Sequence, residues 1–246
     1  MSLSNKYIKL ITSLRQKKHR QKNNLFVAEG VKVIEELLDS TLVLEKLFVT
    51  TDTVFSVDEN DVIEITELEL KKISQLKSPN KVLGVFHIPD RKNELDAGLI
   101  VALDSINDPG NLGTIIRLCD WFGVSKIVCS KDTVDCYNQK VVQASMGSLV
   151  RIDVVYADLV TYFNAASLPT YIADMDGESV YVSDLPNEAI LVMGNEANGV
   201  SNEVRKIVDS KICIPGFGNV QETESLNVAT ATAILLSEFR RRIVLG

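Results

Sequence analysis

The residues that say most about chemistry run from Ser105 to Arg117: Ser-Ile-Asn-Asp-Pro-Gly-Asn-Leu-Gly-Thr-Ile-Ile-Arg. Asp108 followed by Pro109 reads as the start of a helix. The aspartate can accept from a free N–H of the first turn, and proline at the first helical position lacks only an N–H that had no partner there. Gly110, Gly113 and Arg117 then fall near one stripe, because positions three and four apart share a helix face. A small-residue face that ends in a permanent cation suits the close approach of an anionic ligand. Taken alone this is a hint, since an arginine on a helix is most often a solvated or salt-bridged surface group.

Two later segments have the same build. In Leu191-Val192-Met193-Gly194-Asn195-Glu196-Ala197-Asn198-Gly199-Val200-Ser201 an apolar run ends at Gly194, and a polar loop leads to a helix capped by Ser201. Glycines there let backbone groups come close to a ligand with no Cβ in the way. In Ile214-Pro215-Gly216-Phe217-Gly218 another strand ends in a Gly-rich loop. After Glu224-Ser225-Leu226-Asn227 a helix rich in alanine and threonine begins.

The elements that must hold these loops follow from periodicity. The spacing predicts a helix over Lys6–Arg20, an apolar run Leu25–Ala28 and a helix over Val31–Leu38. Strands Val43–Val49 and Val62–Ile65, a helix Glu67–Leu76 and a strand Val82–Ile88 complete a first α/β unit. Pro89 to Glu94 is polar, has no apolar pattern and reads as a linker. Beyond it, strands Leu99–Leu103, Lys126–Cys129, Ile152–Val155, Thr170–Ala173, Ala189–Met193 and Lys211–Ile214 alternate with helices. The helices fall near Asn111–Phe122, Asn138–Ser145, Leu159–Ala166, Asn202–Val208 and Ser225–Arg242. Short apolar strands alternating with helices imply a mainly parallel sheet covered by helices, with ligands beyond the carboxyl ends of its strands. The domains are therefore expected at 1–92 and 97–246. No Gly-x-Gly-x-x-Gly follows the first strand of the second domain, so a dinucleotide site is not expected.

The chain has 246 residues, four cysteines and two histidines, His19 and His87. Its cysteines form no Cys-x-x-Cys pair, so neither a zinc site nor a disulfide framework is expected. No apolar run approaches the roughly 18 residues of a membrane span. The N-terminus is polar and basic, and no signal segment is read there; a cytoplasmic, metal-free protein is expected. The net charge of −7 argues against wholesale polyanion binding. Its distribution qualifies that, because Lys6, Lys9, Arg15, Lys17, Lys18, Arg20 and Lys22 precede the first acidic residue, Glu29. A local basic stripe can contact phosphates on an acidic protein, or simply be a solvated helix face.

With three motifs in order, the chain resembles the SpoU (TrmH-type) family of RNA ribose 2′-O-methyltransferases, of the knotted methyltransferase superfamily. The motifs are Asn111 to Arg117, Gly194 to Gly199, and Ile214-Pro215 with Ser225-Leu226-Asn227. Val142 to Gly147 matches the stretch between the first two. The N-terminal unit, with Leu14 to Arg20 and Phe26-Val27-Ala28-Glu29-Gly30, resembles the family's substrate-binding domain. What the resemblance implies is a catalytic domain with a deep trefoil knot, preceded by an L30e-like RNA-recruiting domain. It also implies S-adenosyl-L-methionine as methyl donor, a homodimer, and RNA as substrate, ribosomal RNA ahead of transfer RNA. A non-catalytic RNA-binding or assembly factor on the same scaffold stays open. Cofactor contacts carry over to Gly194, Ile214 and Leu226, with Glu196, Gly199 and the segment Leu191–Met193 as neighbours. Catalytic roles carry over to Arg117, Asn111, Ser225 and Asn227, and RNA contacts to Arg15, Lys17, Lys18 and Arg20. A guanidinium stays protonated at ordinary pH, so the expected part for Arg117 is to grip a phosphate and lower the 2′-OH pKa, not to act as base. Asn111 would orient the ribose or its helix, and Ser225 and Asn227 would position the nucleophile or a water. The chain departs from the family pattern at Gly216, where methionine is usual, and in a longer loop at Asn219–Thr223. Cys119, Trp121 and Phe122 read as packing residues. Arg240, Arg241 and Arg242 read as cations at a helix C-terminus.

Overall fold

The basic N-terminal stretch folds as two helices, not the single one its spacing predicts. In the computed structural model, which describes residues 3–50, 55–90, 96–218 and 225–245, α1 is Asn5–Ser13 and α2 is Lys17–Asn23. The turn between them leaves the carbonyl oxygens of Leu14 and Arg15 without helical partners. The Arg20 guanidinium donates to both, at 2.8 and 3.0 Å. Its Nε and Nη2 donate to Asp135 Oδ2 at 2.9 and 2.5 Å. Only 3% of Arg20 is exposed. This corrects the expectation of an RNA contact at Arg20: its fork is already committed to two carbonyls and a carboxylate. Arg15, Lys17 and Lys18 are exposed, and Arg15 Nη2 donates to Ser74 O at 3.3 Å.

The chain continues as β1 (Leu25–Glu29), α3 (Val31–Leu38), β2 (Leu44–Val49), β3 (Val62–Glu64), α4 (Glu67–Ile73) and β4 (Val82–His87). Then come β5 (Leu99–Leu103), α5 (Pro109–Trp121), β6 (Lys126–Ser130), α6 (Gln139–Ser145), β7 (Asp153–Ala157) and α7 (Leu159–Ala165). Last are β8 (Thr170–Ser179), β9 (Ala189–Met193), α8 (Asn202–Arg205), β10 (Ser210–Cys213) and α9 (Val228–Leu245). Contacts divide the chain into two units, 1–92 with 135–150 and 93–134 with 151–246. The segment 135–150, which carries α6, thus counts with the first unit although it lies inside the sequence of the second. Of the expected linker, residues 91–94 lie outside the described residues.

In the first unit, β4 pairs antiparallel with β1 and β2, and β3 joins β2 in parallel. Ile11 and Leu14 from the N-terminal helix region, Phe48 from β2, Leu70 and Ile73 from α4 and Leu83 from β4 share its core. Tyr7 meets Phe48 edge-on at 5.2 Å. A reciprocal cap starts α4: Thr66 Oγ1 accepts from Glu69 N at 3.2 Å, and Glu69 Oε2 accepts from Thr66 N at 2.9 Å. Glu29, 1% exposed, accepts from Ser74 Oγ at 2.5 Å, Gln75 N at 2.9 Å and Gln139 Nε2. Three donors satisfy a carboxylate that would otherwise be costly to bury. They join β1 to the end of α4 and to α6.

The second unit is a six-stranded, wholly parallel sheet in the order β10-β8-β9-β5-β6-β7. Strands β5, β6 and β9 are buried at every position, as expected of strands covered on both faces. Helices α5 and α9 pack together. Cys119 is buried as expected, but Trp121 is 83% exposed and is not a packing residue. Gly113 is also buried, so the open stripe of α5 is Gly110, Thr114, Arg117 and Trp121. Arg240 serves another helix's end: its Nε donates to Phe122 O at 2.8 Å and its Nη2 to Gly123 O at 2.5 Å, just past α5.

Breaking the Arg20–Asp135 pair leaves a carboxylate only 13% exposed without its cation. Arg20→Met is expected to lower the unfolding free energy by about 3 kcal/mol in a urea titration. Lys18→Glu, on an open surface, should change it by less than about 0.5 kcal/mol. Equal stability of Arg20→Met and the wild type would refute the structural role.

Candidate functional site

Because all six strands of the second unit run the same way, their carboxyl ends share one edge, and the loops that leave it meet there. Asp108 caps α5, accepting from Asn111 N at 2.8 Å, with Pro109 in the first turn. Asp104, buried at the end of β5, accepts from Ser201 N at 2.8 Å. Asn195 Nδ2 donates to Ser105 O at 2.8 Å. These two bonds tie the loop after β9 to the loop after β5. Asn195 also shapes its own loop, its Oδ1 accepting from Ala197 N at 2.9 Å and its backbone pairing with Gly199.

Gly194 admits no side chain. A Cβ there would lie 2.3 Å from Gly199 C and from Val200 N, well inside contact distance, and both are backbone atoms. The strand therefore turns against its own returning loop.

Beside this turn lies a cavity of about 400 Å³. Of the residues singled out in the sequence, Gly194, Glu196, Gly199, Ile214, Ser225 and Leu226 line it. Asn111 and Asn227 join the group through hydrogen bonds. Asn111 Nδ2 donates to Glu196 Oε1 at 2.7 Å, and Asn227 Nδ2 donates to Asn111 Oδ1 at 3.0 Å. Asn227 Oδ1 in turn accepts from Ala229 N and Thr230 N at 3.0 and 3.2 Å and so starts α9. One residue from each motif thus stands in a single hydrogen-bonded series. Arg117 is not in the cavity wall. It lies on the exposed stripe of α5 and has no hydrogen bond or ion pair among the described residues. The loop extension at Asn219–Thr223 lies outside the described residues.

Several wall residues were not read from the sequence, among them Ile212, Leu235, Asp174 and Arg205. The apolar ones carry no signal beyond core periodicity. For Asp174 there was one: a glycine, Gly177, closely following a strand-like run marks a bulge or a close backbone approach. The structure extends β8 to Ser179 where the spacing ended the strand at Ala173.

Removing the Asn227 side chain takes the cap from α9 and the partner from Asn111. Asn227→Ala should lower stability by about 1 kcal/mol, and Asn227→Asp, which keeps the capping oxygen, should recover most of it in thermal or urea unfolding.

Residues 98–237 match the SpoU rRNA Methylase family, and residues 5–84 match the MRM3-like substrate binding domain. The chain is 31% identical to 23S rRNA (guanosine(2553)-2'-O)-methyltransferase RlmP of Bacillus subtilis, over 97% of this chain and 98% of that protein. A solved structure from Porphyromonas gingivalis, assigned to the TrmH family of RNA methyltransferases, is 39% identical, covers 98% of this chain and 99% of its own, and superposes with a TM-score of 0.88. An AdoMet-bound rRNA methyltransferase from Sinorhizobium meliloti is 30% identical, covers 99% of this chain and 98% of its own, and gives 0.85. With its motif residues gathered at one strand edge and the family match spanning the second unit, the chain belongs to the SpoU rRNA methylase family.

Proposed function

We propose that this protein transfers a methyl group from S-adenosyl-L-methionine to a ribose 2′-hydroxyl of ribosomal RNA. The observation that carries the reading is the convergence of all three motifs on one cavity, through Asn111, Glu196 and Asn227 and the wall residues Gly194, Ile214 and Leu226. The substrate class is supported by the full-length similarity to the Bacillus subtilis enzyme.

The cavity suits the donor. Its volume, about 400 Å³, falls in the range of roughly 300–1,000 Å³ typical of small-molecule sites. Ile214, Leu226 and Leu235 offer apolar wall for an adenine ring, and the backbone at Gly194 offers polar groups at close range. When bound, S-adenosylmethionine supplies an electrophilic methyl group on a sulfonium. The protein's own task is to place the ribose oxygen in line with it and to favour loss of the hydroxyl proton.

Arg117 is the exposed cation of α5 and keeps its fork open. It holds an RNA phosphate through two parallel N–H bonds, and its charge lowers the pKa of the neighbouring hydroxyl. Asn111, held between Glu196 and Asn227, orients the ribose, and Ser225 in the cavity wall positions the nucleophile. The first unit recruits the RNA: Arg15, Lys17 and Lys18 give phosphate contacts that position it without reading its sequence. The deep trefoil knot and the L30e-like character of the first unit belong to the same reading, as does a homodimer. The exposed Trp121 at the end of α5 supports the dimer. Among the described residues no helix is long and apolar enough to cross a membrane; action in the cytoplasm belongs to the same reading.

Purified protein, donor and unmodified ribosomal or transfer RNA transcripts, incubated separately and analysed by nuclease digestion and mass spectrometry, test the reading. A 2′-O-methylated nucleoside from ribosomal RNA is expected. A product from transfer RNA alone would move the substrate class, and failure to bind the donor would overturn the enzymatic reading.

Arg117→Ala should lower kcat/KM by about 10²–10³-fold. Arg117→Lys keeps the charge but loses the fork, so full activity in that variant would overturn the bidentate contact. Lys17→Glu with Lys18→Glu should weaken RNA binding and flatten its salt dependence, by about one unit of slope for each phosphate the protein no longer neutralises.

A further inference from the structure

Strand β8 does not run straight along β10. The two pair at Tyr171 and Ile172, then next at Glu178 and Ser179, so residues 173–177 leave the ladder between those points. Gly177 allows the return, because a Cβ there would lie 2.6 Å from the backbone N and C of Ile212. The excursion brings Asp174 into the cavity wall beside Arg205. The Asp174 side chain is 11% exposed. Its Oδ2 accepts from Arg205 Nη1 and lies 3.8 Å from Lys211 Nζ. Lys211 itself donates to Asp176 Oδ2 at 2.9 Å. Every one of these contacts to Asp174 falls on the same oxygen. Among the described residues none donates a hydrogen bond to Oδ1.

A carboxylate in a cavity wall, fixed on one side by a guanidinium and open on the other, is an oriented acceptor. S-adenosylmethionine carries two kinds of donor that such an oxygen binds, the ribose diol and the α-ammonium group. The other carboxylate of the wall, Glu196, already accepts from Asn111 Nδ2 at 2.7 Å, and leaving a desolvated donor unpaired is costly. We propose that Asp174, oriented by Arg205, accepts a hydrogen bond from the ribose hydroxyls or the ammonium group of S-adenosylmethionine and so fixes how the cofactor sits. Arg205 acts as a positioning residue and Gly177 as the backbone requirement for the excursion. The inference rests on the cofactor reading given above.

Isothermal titration of the full chain with three ligands tests it: S-adenosylmethionine, S-adenosylhomocysteine and 5′-methylthioadenosine. The last keeps the ribose diol but lacks the amino-acid end. Wild-type protein that fails to bind S-adenosylmethionine would refute the cofactor reading itself. If the wild type binds, Asp174→Ala should weaken S-adenosylmethionine roughly tenfold or more, the size of one charge-assisted hydrogen bond. Arg205→Gln should weaken it less, since the acceptor remains but is no longer held. An equal loss for all three ligands places the contact on the ribose. A loss shared by S-adenosylmethionine and S-adenosylhomocysteine but absent for methylthioadenosine places it on the ammonium. Unchanged affinity for every ligand in Asp174→Ala, or a loss confined to the sulfonium form, overturns the hydrogen bond. Thermal unfolding without ligand accompanies each variant, and the ratio among the three ligands within one variant is independent of any loss of stability.

Discussion

Six strands running in one direction put six carboxyl ends on one edge, and the chemistry of this protein depends on that constraint. A parallel sheet is covered on both faces, so its central strands β5 and β9 are apolar and buried throughout and offer no place for polar chemistry along their length. Functional groups have to gather in the loops past the edge. Gly194 shows how tightly this is done, since the chain returning through Gly199 and Val200 occupies the space of any side chain there. The cavity beside it is lined by these loops together with residues of β8, β10 and α9.

Polar connections then set the registry among those loops. The buried Asp104 holds Ser201 N, and Asn195 reaches Ser105 O. Asn111 stands between Glu196 and Asn227. Each of these side chains bonds across more than eighty residues of sequence, so none can be satisfied until the sheet has formed. The active arrangement is therefore a product of the complete fold of this unit and not of any local segment. Arg117 stands outside this arrangement, exposed on α5.

The first unit uses buried charge differently. Arg20 and Glu29 hold segments together: Arg20 ends α1 and meets Asp135, and Glu29 meets Ser74, Gln75 and Gln139. Both bind residues from 135–150, so the unit includes a piece of chain distant in sequence. Arg15, Lys17 and Lys18 remain exposed. The division of labour is physical, since a cation committed to carbonyls and a carboxylate cannot also exchange counterions with a phosphate backbone.

The sequence by itself determined the element types, most strand limits and the three loops that form the site. Apolar runs such as Leu99–Leu103 and Ala189–Met193, and the Asp108-Pro109 start of α5, are local signals, and local signals survive in a linear string. It also determined the family, because motif order is a property of the string. Only the tertiary structure decided that Arg20 is buried, that Trp121 and not Gly113 lies on the open stripe of α5, and that Arg240 ends a helix other than its own. It alone brought Asp174 into the cavity by carrying β8 past a break in its pairing. For Arg20, Arg240 and Asp174 the deciding partner lies far along the chain: Asp135 for Arg20, Phe122 and Gly123 for Arg240, Ile212 for the strand that carries Asp174. Periodicity reports which face of an element is apolar, but it cannot report what that face or its polar neighbours will meet.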